Sequence, residues 1–329
     1  MNEDAKTAKF DFSATFACAG TLAFWSLGPI FIKYLTGSVD SWTQNLLRYS
    51  AACLFWLPFL LLSIKNKCFD TRTWRKAVLP ATANVIMQSL WAGAFYHIGP
   101  AFMVLLTKTN IIWIAGFSFI SFPGERQLVK SKRFWLGLML SVMGGGGVIC
   151  FKKDFAVTGT LTGIVMALAA AFMWAVYTLS ARIAFRNIDS RSGFSVMSIY
   201  TVAGLCVLAL LFGRVGDCVN MGIKSWAVVV FSGVTCIGLA HVLYYAAMRR
   251  IGATIPALVI LVQPFTVLAI SRVVFGESLN AFQLVFGLVL LAGAACAIWS
   301  QQHLRRDSRL GHVGRELRAT GSDLTDAVN

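Results

Sequence analysis

The chain has 329 residues, of which 57% are apolar and only 13% are charged, and its mean hydropathy is +0.70. A soluble domain carries about 25% charged residues, so this composition excludes an ordinary soluble protein. The net charge of +15 would suit a nucleic-acid-binding protein, but the basic residues lie in short segments between apolar runs. That pattern is typical of membrane topology, and no nucleic-acid partner is expected.

Ten apolar runs are long enough to cross a bilayer as helices, which takes about 20 residues each. They lack the two-residue alternation of membrane strands, and only helices or closed barrels satisfy their backbone groups in lipid. The sequence therefore predicts an all-α membrane protein with ten transmembrane helices. The runs are 12–35, 44–64, 75–96, 100–121, 133–151, 159–184, 194–213, 225–247, 252–274 and 281–299. The first run is too long for the core of a signal peptide, so we expect it to remain as a membrane helix.

Most of the 29 Lys and Arg residues fall on one side of this topology. If the N-terminus is cytoplasmic, so are the basic segments that follow the second, fourth, sixth, eighth and tenth helices. Cytoplasmic loops carry this excess of positive charge, so we expect both termini in the cytoplasm of a multi-pass protein of the bacterial inner membrane. The basic tail 300–329 has no apolar stripe and is expected to be disordered, with binding to anionic lipid as the minor alternative.

The chain also repeats itself. A shift of 153 residues aligns Gly99 with Gly252 and Asn110 with Gln263, and a shift of 149 aligns Trp25 with Trp174. The predicted units are 12–151 and 159–299. Because each unit has five helices, an odd number, the second unit is inverted relative to the first, which is a common plan of secondary transporters.

A polar and aromatic stripe runs along the predicted third helix, where Asn84, Gln88 and Trp91 share one face. The repeat carries Gln88 onto His241 and Trp91 onto Tyr244 in the eighth helix. Two such stripes facing each other would form a pocket for a small polar molecule with an apolar part. Hydrogen bonding between helices is the alternative interpretation.

Lys108 is a cation inside the predicted fourth helix, and no Asp or Glu lies inside any of the ten runs. A lysine at this depth costs about 2.5–3.5 kcal/mol, so it usually faces a cavity or a partner. We expect an anionic group of a substrate as that partner, with Asn110 and Gln263 nearby, or else a side chain that snorkels to the interface. Snorkelling or an ion pair with Asp40 is the better expectation for Arg48, which lies nearer a helix end.

Prolines interrupt several of the runs. Pro256 and Pro264 lie in the predicted ninth helix on either side of Gln263. Because proline frees a backbone carbonyl and permits a bend, we expect this helix to be a moving wall of the cavity, with a static kink as the alternative. The glycines of 144–147 and Gly293 provide small faces for close packing of the fifth and tenth helices, which are expected to form a scaffold.

Taken together, these features resemble the drug/metabolite transporter superfamily, EamA type. Each half ends with an apolar helix, a Gly-Glu pair (Gly124-Glu125 and Gly276-Glu277) and a final glycine-containing helix. The resemblance covers residues 12–299. It implies a central cavity lined by the third, fourth, eighth and ninth helices, and relatives that export amino acids and other small metabolites or move nucleotide sugars and phosphorylated sugars.

The sequence therefore predicts a secondary transporter that exports a small neutral, zwitterionic or anionic metabolite, such as an amino acid, by alternating access. A nucleotide-sugar or phosphorylated-metabolite exchanger and a non-transporting assembly or sensing protein of the same fold are the alternatives. The expected partners are this metabolite and the lipid bilayer, with a homodimer left open. No nucleophile–base set, metal-ligand spacing or phosphate loop is visible, so no enzyme, metal or cofactor is expected.

Overall fold

The structure of the protein is a computed structural model, and it describes residues 12–121, 131–151, 158–185, 188–251, 256 and 259–300. Within these ranges the chain is helical and contains no strand. The α-helices are α1 (Phe12–Leu35), α2 (Ser41–Lys65), α3 (Arg72–Ala94), α4 (Pro100–Thr107), α5 (Asn110–Ser121), α6 (Lys132–Cys150), α7 (Thr158–Ala184), α8 (Ser190–Phe212), α9 (Ile223–Ser232), α10 (Ala240–Ile251), α11 (Gln263–Phe275) and α12 (Ala281–Ser300). Among them, the boundaries of the uninterrupted helices lie within a few residues of the predicted ones.

Seven helical stretches of the described chain are long and apolar enough to cross a membrane: α1, α2, α6, α7, α8, the α9–α10 stretch and α12. The protein is therefore a multi-pass membrane protein. Helix α3 has 23 residues and is long enough, but basic residues in its first turns and a polar face lower its hydropathy. The first residues of the predicted ninth span, 252–274, and nearly all of the predicted tail, 300–329, lie outside the described ranges, so these parts stay predictions.

The predicted fourth helix is not continuous, so this part of the prediction is wrong. Helix α4 ends at Thr107, a turn follows, and α5 begins at Asn110. The hydroxyls of Thr107 and Thr109 turn back onto the carbonyls of Val104 and Leu106, at 2.8 Å each, so the side chains compete with the helix for its own acceptors. Lys108 sits at the break.

A second break occurs in the predicted ninth helix. Leu261 and Val262 form a turn, and α11 begins at Gln263 with Pro264 in its first turn. Proline suits that position because the first N–H groups of a helix have no partner within it. Pro264 thus starts a helix after a break, whereas the prediction made it a kink within one. Pro256 is buried, but its neighbours 252–255 and 257–258 lie outside the described residues, so its expected bend stays a prediction.

The predicted eighth helix contains a π-helical segment, Gly233–Leu239, between α9 and α10. The widened turn leaves the carbonyl of Gly238 to accept a hydrogen bond from the Trp56 indole at 3.1 Å. Gly233 has no room for a side chain, because an added Cβ would lie 2.3 Å from the carbonyl oxygen of Arg48. The π segment therefore brings α2 into close contact with this wall of the bundle.

Two aspartates cap helices at repeat-related positions. Asp40 accepts hydrogen bonds from the backbone of Trp42 and Thr43 at the start of α2, and Asp189 accepts one from Arg191 at the start of α8. Burial by itself would raise the pKa of Asp40, but its hydrogen bonds outweigh burial and hold that pKa below the ordinary value. Such a cap is worth about 1 kcal/mol.

Helices α6 and α12 pack through small residues, as predicted for a scaffold. An added Cβ at Gly137 would lie 2.7 Å from the backbone nitrogen of Ala297, and one at Gly293 would lie 2.6 Å from that of Ser141. The same approach is repeated at Gly144, against Leu290. These glycines let the two backbones touch, which is how membrane helices associate without a hydrophobic driving force.

The remaining helices surround the centre of the molecule in matching pairs. Helix α3 packs along α7, α10 packs along α1, α2 packs against α8, and α4 packs against α11. This arrangement leaves the polar faces of α3 and α10 directed towards the space between them.

Candidate functional site

A cavity of about 850 Å³ lies between these helices. Its walls come from α1, α3, α5, α7, α10 and both helix breaks, and it extends from Trp91 and Lys108 to the α7–α8 turn at Asp189. A volume in this range suits a small organic molecule. Most of the lining is apolar or aromatic, with a few polar groups.

The structure brings together seven of the eight residues that are predicted from the sequence to bind substrate. The cavity is lined by Gln88, Trp91, Lys108, Asn110, His241, Tyr244 and Gln263. The two stripes thus face one space, as the repeat suggested. Their role in binding stays a prediction.

Asn84 is placed differently from the other nominated residues. Its amide nitrogen donates to the hydroxyls of Tyr49 and Thr201, at 3.2 Å each, and its side chain is fully buried between helices. The cavity lining does not include it. Asn84 therefore has the contacts of the packing alternative, linking α3 to α2 and α8.

Lys108 lies at the inner wall of the cavity and is only 8% exposed. Its Nζ donates to Oε1 of Gln263 at 2.8 Å, and Nε2 of Gln263 donates to the carbonyl of Trp25 at 2.7 Å. The hydrogen bond joins the break between α4 and α5 to the break before α11. The burial of the side chain and its inward partner do not fit the snorkelling alternative.

Arg48 corrects a second expectation. It neither snorkels nor pairs with Asp40; it is 3% exposed, and its Nε donates to the hydroxyl of Ser232 at 2.9 Å. Part of its side chain lines the cavity. No pattern in the sequence indicates this contact, because Ser232 is 184 residues away in the chain and is brought close by the packing of α2 against the π segment.

Trp25 and Trp174 form much of the aromatic wall. Their rings meet edge to face with centroids 5.8 Å apart, and Trp25 also contacts the rings of His241 at 5.3 Å and Tyr244 at 5.0 Å. Neither tryptophan is among the binding residues predicted from the sequence. The repeat could have indicated them, because the shift of 149 aligns Trp25 with Trp174.

His241 is held by its own helix. Its Nδ1 lies 2.8 Å from the carbonyl of Ile237, and since a carbonyl can only accept, Nδ1 carries the proton. In the neutral ring Nε2 is then an acceptor, and it has no partner among the described residues. Nearby, the hydroxyls of Tyr177 and Tyr245 are hydrogen-bonded at 2.7 Å and continue the wall.

The end of the bundle opposite the α7–α8 turn is closed by hydrogen bonds. Tyr96 donates to the carbonyl of Val39 and accepts from the Gln44 amide at 2.7 Å. Lys33 donates to the carbonyl of Phe95 at 2.7 Å. These contacts tie the α1–α2 turn to the α3–α4 turn, and neither Tyr96 nor Lys33 is among the residues that line the cavity.

Glu277, one member of the repeated Gly-Glu pair, lies at this closed end. Its carboxylate accepts hydrogen bonds from the backbone of Ala101 at 3.0 Å and Phe102 at 3.2 Å, and from the hydroxyl of Ser271. It therefore caps the start of α4, where a negative charge is favoured by the helix dipole. Gly124 and Glu125, the other pair, lie outside the described residues.

This chain is similar to proteins that are described as transporters. The EamA-like transporter family matches residues 161–299. An "Uncharacterized transporter" of Clostridium kluyveri is 22% identical over 82% of this chain and 88% of its own length. Another of that description, from Archaeoglobus fulgidus, is 25% identical over 82% of this chain and 90% of its own length.

The fold is also shared with a solved protein. A crystal structure described only as that of a protein superimposes with a TM-score of 0.61, at 17% identity, and covers 87% of this chain and 96% of the other. The bundle, the cavity and these relatives support a membrane transporter for a small molecule. More particularly, residues 161–299 match the EamA-like transporter family, and this match and the curated relatives support an EamA-type protein of the drug/metabolite transporter superfamily.

Proposed function

We propose that this protein is a secondary carrier that exports a small anionic, zwitterionic or neutral metabolite across the bacterial inner membrane by alternating access. The observation that carries the proposal is the central cavity, whose lining extends to Asp189 at one end of the bundle, while the hydrogen bonds of Tyr96 and Lys33 join the helix turns at the other end. A passage open at one end only is what a carrier presents in each of its two states.

The distribution of basic residues assigns the two ends. Arg182 at the end of α7 and Arg191 at the start of α8 flank the α7–α8 turn, so the positive-inside rule favours a cytoplasmic location for this turn and an outside location for the α1–α2 turn. The structure would then be the inward-facing state, ready to take up a substrate from the cytoplasm. Both chain termini, including the basic tail, would lie on the cytoplasmic side.

Two inverted five-helix units, 12–151 and 159–299, would move against each other. Support comes from the helix contacts: α3 packs along α7 and α10 packs along α1, which are matching pairs if the first unit is rotated onto the second. The capping by Asp40 and Asp189 at positions 149 residues apart is consistent with the same relation. The two helix breaks would be the places where α4–α5 and the region before α11 bend.

One alternative substrate class has some support. The described lining contains three basic residues, Arg48, Lys108 and Arg182, against one acidic residue, Asp189. This excess would also suit a phosphorylated metabolite or a nucleotide sugar. The other alternative, a non-transporting sensing or assembly protein of the same fold, requires no transport at all.

The test is transport by the purified protein in proteoliposomes, combined with sided labelling. A cysteine-free variant would carry a single cysteine either at Ser190, on the cavity mouth, or at Ser38, in the closed end. We expect counterflow of at least one metabolite. We also expect that adding this substrate changes the labelling rates of the cysteines at positions 190 and 38 in opposite directions. No transport across a broad panel, with labelling insensitive to every compound, would contradict the carrier function.

A further inference from the structure

The acidic and basic residues that line the cavity lie at different depths. Asp189 lies at the mouth, where it caps α8 and contacts Arg191 at 3.3 Å. The described inner part of the cavity, by contrast, has Lys108 and Arg48 and no carboxylate. An organic cation entering this space would meet only like charges at its inner end, whereas an anion would find partners.

Lys108 is the partner best placed for an anion. In the described residues its ammonium has Gln263 as a neutral hydrogen-bond acceptor, and no carboxylate lies within ion-pair distance of it. An ammonium has three donors, and a buried cation without a counter-ion is costly. A carboxylate that reached Nζ would supply the missing charge and a stronger hydrogen bond than the amide does.

The aromatic wall lies next to this ammonium. Gln263 connects the two, because its Oε1 accepts from Lys108 and its Nε2 donates to the backbone of Trp25. The Trp25 ring is in turn in contact with Trp174 and Tyr244. A flat ring attached within a few bonds of a carboxylate would therefore touch the wall while its anionic end reached Nζ.

We infer that the substrate class of the carrier proposed above is a monoanionic aromatic carboxylate. Its carboxylate binds the Lys108 ammonium in place of the Gln263 amide, and its ring lies against Trp25, Trp174 and Tyr244. This inference rests on the proposed carrier function. If it is correct, amines are not transported. An aromatic acid is transported better than the amino acid of the same carbon skeleton, since the described inner cavity offers no acidic side chain for an ammonium group.

The experiment is counterflow in proteoliposomes with matched compounds: 3-phenylpropionate, its neutral amide, phenylalanine, phenethylamine, cyclohexylpropionate and phenyl phosphate. For the wild-type protein we expect the aromatic acid to move at least about tenfold faster than the amide or the amine, because the charged hydrogen bond is lost with either. The saturated-ring acid should move more slowly than the aromatic one. These comparisons require no mutation.

The variants Lys108→Met and Lys108→Arg test the residue itself. We expect K108M to lose at least about tenfold in transport of the acid, and K108R to keep most of it. Lys224→Met is the matched control, since it removes an exposed lysine outside the cavity and should transport like the wild type. Gel filtration and thermal unfolding establish that each variant is folded.

Three results would overturn the inference while leaving the carrier function intact. They are equal transport of acid and amide, faster transport of phenylalanine, the amine or the phosphate, and undiminished transport of the acid by a folded K108M protein. A wild-type protein that moves none of these compounds, nor any of the broader panel, would overturn both.

Discussion

The two helix breaks use the same backbone arrangement but carry different chemistry. Asn110 and Gln263, 153 residues apart, each begin a helix directly after a turn, and both line the cavity. The first break presents the buried cation Lys108, whereas the residue at the corresponding place in the second is Leu261. The two breaks therefore share a backbone arrangement, but only the first carries a charged side chain.

The difference between the two breaks is tested most strongly by moving the charge from one break to the other. Lys108→Gln should lower transport of an aromatic acid at least about tenfold, since a charged hydrogen bond is worth about 1.5–3 kcal/mol. Adding Gln263→Lys should restore part of it, because Nζ of Lys108 and Oε1 of Gln263 are only 2.8 Å apart. Initial counterflow rates of the single and double variants measure this. If the double variant transported the acid no faster than K108Q, transport would depend on the position of the charge and not only on its presence.

The aromatic side of the cavity should contribute somewhat less. Trp25→Ala removes a ring that contacts Trp174 and Tyr244, and we expect the KM for an aromatic acid to rise roughly tenfold, with Trp25→Phe much milder. Trp299→Ala is the control, because this tryptophan is 56% exposed on α12. Concentration-dependent uptake gives the KM values. If W25A and W299A behaved alike, the ring would not be part of the site.

Removing the neutral partner should have an effect of a different kind. In Gln263→Leu a substrate no longer has to displace the amide from Lys108, so its KM should stay the same or fall severalfold. The substrate-free protein should lose about 1–3 kcal/mol of stability, because the buried ammonium loses its acceptor. Thermal unfolding with and without the acid tests this. A rise in KM comparable to that of K108Q would mean that Gln263 itself binds substrate.

The smallest effect on transport is expected at Asn84, which lies one helical turn before Gln88. Asn84→Ala breaks hydrogen bonds to Tyr49 and Thr201 and should lower stability by about 1–3 kcal/mol without changing the KM. Gln88→Ala, on the cavity wall, should change the KM instead. Paired measurements of unfolding and uptake separate the two residues. A changed KM in a fully stable N84A variant would return Asn84 to the substrate site.

Much of this architecture could be predicted because only helices or closed barrels satisfy the backbone hydrogen bonds of a chain within a bilayer. The lengths of the apolar runs predict the uninterrupted helices. The shift of 153 predicts that two stripes face one space, and these stripes contain Gln88, Trp91, His241 and Tyr244. The same repeat held the information for Trp25 and Trp174. The alignment of these two tryptophans indicates the duplication, but by itself it does not show that their rings face the cavity.

The features that escaped prediction depend on non-local contacts or on subtle local competition. The break at Thr107–Thr109 contains no proline or glycine, and only two threonine hydroxyls turned back on the helix mark it. Arg48 was assigned to the nearby Asp40, but its partner Ser232 arrives through the tertiary contact at Gly233. No periodicity within α2 encodes that contact.

Recognition of an aromatic carboxylate by Lys108 is tested most directly by an X-ray structure of the protein with 4-iodobenzoate, in which anomalous scattering locates the iodine without reference to the expected pose. We expect one iodine position against the rings of Trp25 and Trp174, with a carboxylate oxygen about 2.8 Å from Nζ of Lys108 and with the Gln263 amide displaced. An iodine outside the cavity, or a carboxylate directed away from Lys108, would contradict it.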